Sequence, residues 1–234
     1  MTRPRLLDLF CGAGGCARGY VEAGFDVVGV DHRPMPRYLL SGASAFVQGD
    51  ALEYVAQHGH KFDVIHASPP CQAYSSTRSI HKRDDLPHLL PRTRELLQAS
   101  GKLWVIENVP GAPMHDPAIV CGLMLGLRVK RHRLFESPIL LFGTGCPRGH
   151  KDSFLTVTGH SGYAVSRDRR WVSVHGGGAP ARPDNRRRAD SKTAALAMGI
   201  DWMTRDELSQ AIPPKYTKYV GKQLLQAIRG GDQS

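Results

Sequence analysis

The sequence predicts an α/β fold on a doubly wound, mostly parallel sheet, with a second, irregular lobe. Three observations predict it. Over the first 110 residues short apolar runs alternate with helix-like patterns, the arrangement that yields parallel strands covered on both faces. The first apolar run ends in a glycine cluster that opens a helix. A carboxylate, Asp31, closes the second run 19 residues after Gly12, where open α/β sheets place ligand contacts beyond the carboxyl ends of their strands.

The elements follow in order. Residues 6–10 form the first strand, and Ala17, Tyr20, Val21 and Gly24 follow at helical spacing, with Gly24 as the stop. Residues 25–31, 45–48, 62–67 and 103–107 read as further strands, the last preceded by a helix around 89–97. Residues 138–192 are rich in Gly, Arg, His and Ser and poor in apolar periodicity, so they read as loops and short irregular strands. Pro213-Pro214 opens a final helix on Tyr216, Tyr219, Val220, Leu224, Ala227 and Ile228, with Gly230-Gly231 as its end. The expected division is a catalytic and cofactor-binding unit at 1–137, a basic lobe at 138–192, and a segment at 193–234 that returns to the first unit.

Composition narrows the class. The chain has 234 residues, 41% hydrophobic and 22% charged, enough apolar material for a core and too much for wholesale disorder. No run of about 18 apolar residues suggests a membrane span, and the N-terminus lacks the pattern of a secretory signal. Five cysteines without regular spacing argue for a reducing compartment rather than a disulfide framework. The net charge is +10, and residues 128–192 hold 14 basic against five acidic residues while 1–127 balance at 12 and 12. Charge concentrated in this way marks a polyanion-binding surface.

Three loops carry the chemistry. In Asp8-Leu9-Phe10-Cys11-Gly12-Ala13-Gly14-Gly15 a strand runs through glycines into a helix, letting a ligand approach main-chain N–H groups. With Asp31 at the next strand end, this loop suits a dinucleotide or an adenosyl cofactor equally. Asp50, in Gly49-Asp50-Ala51, suits either an adenine amino group or a helix cap. The fourth strand ends in Ser68-Pro69-Pro70-Cys71-Gln72-Ala73-Tyr74-Ser75, where two prolines fix the direction of a thiol in a polar loop, the setting of a nucleophile. Glu107, at the fifth strand end, is a candidate acid or hydrogen-bond donor in the same pocket. His66 reads as a satisfied core histidine. Cys146, His150, His160 and His175 match no standard metal-site spacing, so no metal is expected.

The ordered set DLFCGAGG, VD at Asp31, GDA at Asp50, SPPCQAYS around Cys71, ENVPG from Glu107 and RHRLFE from Arg131 resembles the DNA (cytosine-5) methyltransferase family, particularly its compact bacterial or phage members. The resemblance spans about residues 6–136, with a closing segment at 207–221. It implies a Rossmann-like methyltransferase fold and methyl transfer from S-adenosyl-L-methionine to C5 of a flipped-out cytosine in duplex DNA. It makes Cys71 the nucleophile at C6, with Glu107 on the base edge and Arg133, supported by Arg131, on the base oxygen. It assigns Phe10, Cys11, Gly12, Ala13, Gly14, Gly15, Asp31, His32, Asp50, Ala51, Pro70, Gln210 and Ala211 to the cofactor. Gln72, Ser75, Arg167, Arg169, Arg170, Arg182, Arg186, Arg187 and Arg188 become the DNA contacts. A bacterial or phage-infected cytoplasm, a monomer and a restriction endonuclease partner are the setting implied.

The chain departs from the family in two places. Val129 stands where a Gln usually precedes the arginine motif. Ser209-Gln210-Ala211-Ile212 stands where Gly-Asn-Ser/Ala-Val is usual, which implies a slightly reshaped pocket or a modified cofactor. Methylation of tRNA cytosine, a silent DNA-binding module and a nicotinamide-dependent oxidoreductase are the competing readings.

Overall fold

The computed structural model describes residues 2–70, 89–129, 131–146 and 191–231. Seven strands form one sheet: β1 (Arg5–Leu9), β2 (Asp26–Asp31), β3 (Ala45–Gln48), β4 (Val64–Ala67), β5 (Leu103–Asn108), β6 (Ala118–Cys121) and β7 (His132–Glu136). The helices are α1 (Gly15–Ala23), α2 (Ala51–His58), α3 (Leu89–Ala99), α4 (Ser191–Met198), α5 (Arg205–Gln210) and α6 (Pro214–Gly231). The strand order is β3-β2-β1-β4-β5-β7-β6. β1 to β5 are parallel, and β7 runs antiparallel to both β5 and β6. The chain starts at the centre, winds outward through β2 and β3, then crosses to β4. The point where winding reverses lies between β1 and β4, the usual ligand crevice of such sheets.

Alternate residues of each central strand feed two cores. Leu6, Val27, Val64 and Val105 enter the one shared with α1, α4 and α6. Leu7, Val28, Ile65 and Ile106 enter the one under α2 and α3. Because both faces are covered, these strands are continuous apolar runs rather than alternating ones. Gly24 ends α1 as expected: in the left-handed region at φ 118°, it returns its N–H to the carbonyls of Tyr20 and Val21. α6 closes over α1 at near backbone contact. A Cβ on Gly19 would lie 2.1 Å from the Pro214 carbonyl oxygen, and Thr217 Oγ1 donates to the Cys16 carbonyl at 2.8 Å.

α6 ends on Gly230-Gly231, as expected. The structure departs from expectation at the margins. β6 and β7 extend the sheet where no strand was expected. The chain also stays on this sheet past residue 137, since Leu141 is buried in the first core and Ile139 packs against it. Among the described residues, no helix is long and apolar enough to cross a membrane.

Candidate active site

The loop after β1 is built from backbone. Phe10, Gly12 and Gly14 take positive φ values of 57°, 51° and 87°. Glycine does so freely, whereas Phe10 carries strain of the kind stored at functional sites. Gly14 is the N-cap of α1 and no side chain caps it, so the first main-chain N–H groups of the helix have no side-chain acceptor. Asp31 braces the loop from β2: its Oδ2 accepts from the Gly12 N–H at 3.0 Å and its Oδ1 from the Arg33 N–H at 3.0 Å. His32 Nδ1 lies 3.3 Å from the same carboxylate. A Cβ on Gly12 would meet nothing within 4 Å, so open space lies over the loop.

Two further segments frame it. Asp50 caps α2, with Oδ1 accepting from the N–H groups of Leu52 and Glu53 at 2.8 and 2.9 Å, and Ala51 is buried behind it. The cap reading of Asp50 therefore describes its Oδ1. From the C-terminal part, Trp202 Nε1 donates to the Ala13 carbonyl at 2.9 Å. Ala211 and Ile212 close on the loop so tightly that a Cβ on Gly15 would lie 2.4 Å from the Ile212 carbonyl oxygen. Gln210 itself is exposed at the end of α5, its Nε2 3.4 Å from Ser209 Oγ.

The other side of the crevice is built from side chains. The Ser68 N–H donates to the Leu9 carbonyl at 3.2 Å, and the buried Asn108 Nδ2 donates to the Pro69 carbonyl at 3.1 Å. The exit of β4 is thus clipped to both neighbouring strands, and the last described residue there, Pro70, leaves at a fixed place. Cys71, Gln72 and Ser75 lie outside the described residues, as do Arg167, Arg169, Arg170, Arg182, Arg186, Arg187 and Arg188. His66 is fully buried between Tyr20 Oη and Ser68 Oγ, each 2.9 Å from a ring nitrogen. Burial pushes it down to about 3, so it stays neutral, as a core histidine should.

Glu107 is 5% exposed. Burial raises its pKa, opposed by Arg133, by a hydrogen bond from Ser68 and by Arg131. Arg133 Nε lies 2.8 Å from Glu107 Oε1, but the contact is a charge pair without hydrogen-bond alignment, and among the described residues Oε1 receives no donor. Arg133 reaches this position because β7 is antiparallel. Its first residues, not its last, lie at the carboxyl edge of the parallel strands, with Asn108 opposite Leu134 and Glu107 opposite Phe135. Arg131, also buried, is held through its carbonyl, which accepts from Tyr216 Oη at 2.6 Å. Beneath the crevice, burial raises Asp8 to about 8 and raises the thiols of Cys11 and Cys16. Those two cysteines are held as thiols and are poor nucleophiles.

Sequence reasoning missed the Asn108–Pro69 clip, the direction of β7 and one further grouping. Cys146 lies with Cys121 and His132, their donor atoms within 4.8 Å of one another; His150, His160 and His175 lie outside the described residues.

A family model described as C-5 cytosine-specific DNA methylase matches residues 4–119, which hold the glycine loop, Asp31, the proline loop and Glu107. The Type II methyltransferase M.XorII of Xanthomonas oryzae pv. oryzae is 31% identical over 192 residues, covering 75% of this chain and 41% of the relative. M.FnuDI of Fusobacterium nucleatum is 30% identical over 112 residues, covering 46% and 33%. The chain thus spans less than half the length of these relatives. Among solved structures, the Entamoeba histolytica methyltransferase EhMeth shares the fold at a TM-score of 0.61 and 14% identity, covering 97% of this chain and 99% of that one. With its motifs on the edge of this sheet, in the family's order, the chain belongs to the C-5 cytosine-specific DNA methylase family.

Proposed function

We propose that this chain transfers a methyl group from S-adenosyl-L-methionine to C5 of a cytosine flipped out of double-stranded DNA. The observation that carries the reading is the convergence of the strained glycine loop, the clipped exit toward Cys71 and the buried Glu107–Arg133 pair on one sheet edge.

The residues present fit the cofactor. Open space over Gly12, uncapped N–H groups at the start of α1 and a buried carboxylate at the end of β2 suit a ligand with a carboxylate at one end and ribose hydroxyls at the other. Phe10, Cys11, Gly12, Ala13, Gly14 and Gly15 would hold its methionine part, with Gln210 and Ala211 from the closing segment. Asp31 and His32 would take the ribose. Asp50 would take the adenine amino group through Oδ2, which the helix cap leaves over, with Ala51 and Pro70 lining the sides. The cofactor supplies an electrophilic methyl group on a sulfonium.

On the base, the thiolate of Cys71 adds to C6 and the C5–C6 electron pair shifts to C5, which takes the methyl group. Loss of the C5 proton to a base and of the thiolate from C6 restores the ring. Glu107, whose raised pKa favours the protonated carboxyl, donates to N3 and holds the base in its electron-poor form. Arg133 offsets charge on the base oxygen, and the buried Arg131 backs it. A base paired within a duplex cannot enter this crevice, so it must be extruded.

Residues 147–190 hold nine basic and four acidic residues. We assign DNA contacts to Arg167, Arg169, Arg170, Arg182, Arg186, Arg187 and Arg188 there, and to Gln72 and Ser75 beside the nucleophile. A monomer acting in a bacterial or phage-infected cytoplasm, alongside a restriction endonuclease, completes the proposal. The test uses the whole chain with methyl-labelled cofactor and duplex DNA of varied sequence. Label should appear as 5-methylcytosine, and a duplex carrying 5-fluorocytosine should trap a covalent adduct at Cys71. Label entering tRNA but not DNA, or no adduct on either polymer, would overturn it.

A further inference from the structure

We propose that Cys121, His132 and Cys146 form a zinc site that clamps the sheet where the chain departs into its basic segment. Three separate pieces of chain bring the donors together. Cys121 ends β6 and His132 begins β7, and the two are directly paired across the antiparallel ladder, which puts their side chains on one face. The third donor arrives on a segment tied down beside β6. Thr144 Oγ1 accepts from the Cys121 N–H at 2.9 Å, and the Thr144 N–H donates to the Ile119 carbonyl at 3.1 Å. Gly143 lies so close to Ile119 that a Cβ on it would be 2.6 Å from that carbonyl oxygen.

The distances suit a tetrahedral ion. Zinc bonds of about 2.3 Å to sulfur and 2.0–2.1 Å to nitrogen give donor–donor edges of about 3.6–3.8 Å. The three donor atoms here lie within 4.8 Å of one another, and His132 Nε2 is 3.2 Å from Cys146 Sγ, so no edge exceeds that of a zinc tetrahedron by more than about 1 Å. Two thiolates and an imidazole are a soft donor set that selects zinc over hard cations. A second cluster, Asp8, Cys16 and His66, carries no such reading, because Tyr20 and Ser68 occupy both nitrogens of His66.

The position gives the clamp a use. His132 and Arg133 are neighbours on β7 and point to opposite faces. An ion holding His132 on one face fixes the strand that presents Arg133 to Glu107 on the other. It also anchors Cys146, the last described residue before the segment rich in arginine. Binding replaces the two thiol protons with the ion, so uptake releases protons to solvent.

The test is elemental analysis of the whole chain purified under reducing conditions with zinc supplied. About one zinc per chain is expected. Exchange for cobalt(II) should give tetrahedral ligand-field bands with thiolate charge transfer. Cys146→Ser should halve that charge transfer and weaken metal retention by about tenfold or more, while Cys71→Ala should leave both unchanged. The wild-type reading needs no variant to fold. Metal-free folded protein, a cobalt spectrum without thiolate bands, full retention in Cys146→Ser, or a Cys121–Cys146 disulfide in freshly purified chain would each overturn the proposal.

Discussion

The two sides of the crevice are made of different materials. On the β1–β2 side the work is done by backbone: left-handed residues, main-chain N–H groups and a carboxylate that braces them. On the β4–β5–β7 side it is done by buried side chains, with a carboxyl raised by burial and an arginine set against it. A backbone-built surface suits a ligand held mainly by shape and hydrogen bonds. A side-chain-built surface suits a group whose charge changes during reaction. Changes on the first side should therefore move cofactor affinity, and changes on the second should move the rate of transfer.

Five variants sharpen or break that division. Cys71→Ala should lower transfer by on the order of 10⁴-fold or more with cofactor Kd nearly unchanged, measured by single-turnover kinetics and calorimetry. Glu107→Gln should cost about 10²–10³-fold in kcat, again at constant cofactor affinity. The wild-type rate should fall as pH rises through the raised pKa of Glu107, since only the protonated carboxyl donates to N3. The glutamine variant should lack that limb, and a limb that persists would assign the ionisation elsewhere.

Asn108→Ala removes the clip on Pro69 and should lower kcat by about tenfold through misplacement of the Cys71 loop; a change confined to cofactor Kd would break the division. Asp8 bears on both sides from below. Its folded pKa, raised to about 8 from 3.8, means that the native state binds the proton more tightly than the unfolded chain does. Its contribution is fully present below about pH 4 and is lost as pH rises through about 8, at up to about 1.4 kcal/mol per pH unit. Asp8→Asn should flatten that slope in denaturant titrations run at pH 6 and pH 7. The smallest effect is expected from Gly12→Ala. No protein atom obstructs the added methyl group, so the fold bears only the positive φ, about 1 kcal/mol, while the methyl group enters space proposed for the cofactor, read as weaker cofactor binding at unchanged kcat.

The same division explains what was legible from sequence. β1, β2, β4 and β5 could be read because strands buried on both faces spell contiguous apolar runs, as in residues 25–31 and 103–107. The glycine loop could be read because its residue types are dictated by φ. β6 could not: it is four residues long and exposes Ile119 between buried Ala118 and Val120. β7 begins His132-Arg133, and that polarity hides a strand whose charges are buried for the site's sake. Without its antiparallel direction, the Glu107–Arg133 pair cannot be deduced from residue identity. α5 did carry a local signal, since Thr204 and Glu207 form a reciprocal capping box.

The contact of Gly15 with Ile212, and of Gly19 with Pro214, has a consequence for the order of events during synthesis. The loop after β1 cannot acquire its back wall until nearly 200 further residues have been made. Translation that halts before Ile212 yields a sheet whose glycine loop has no back wall.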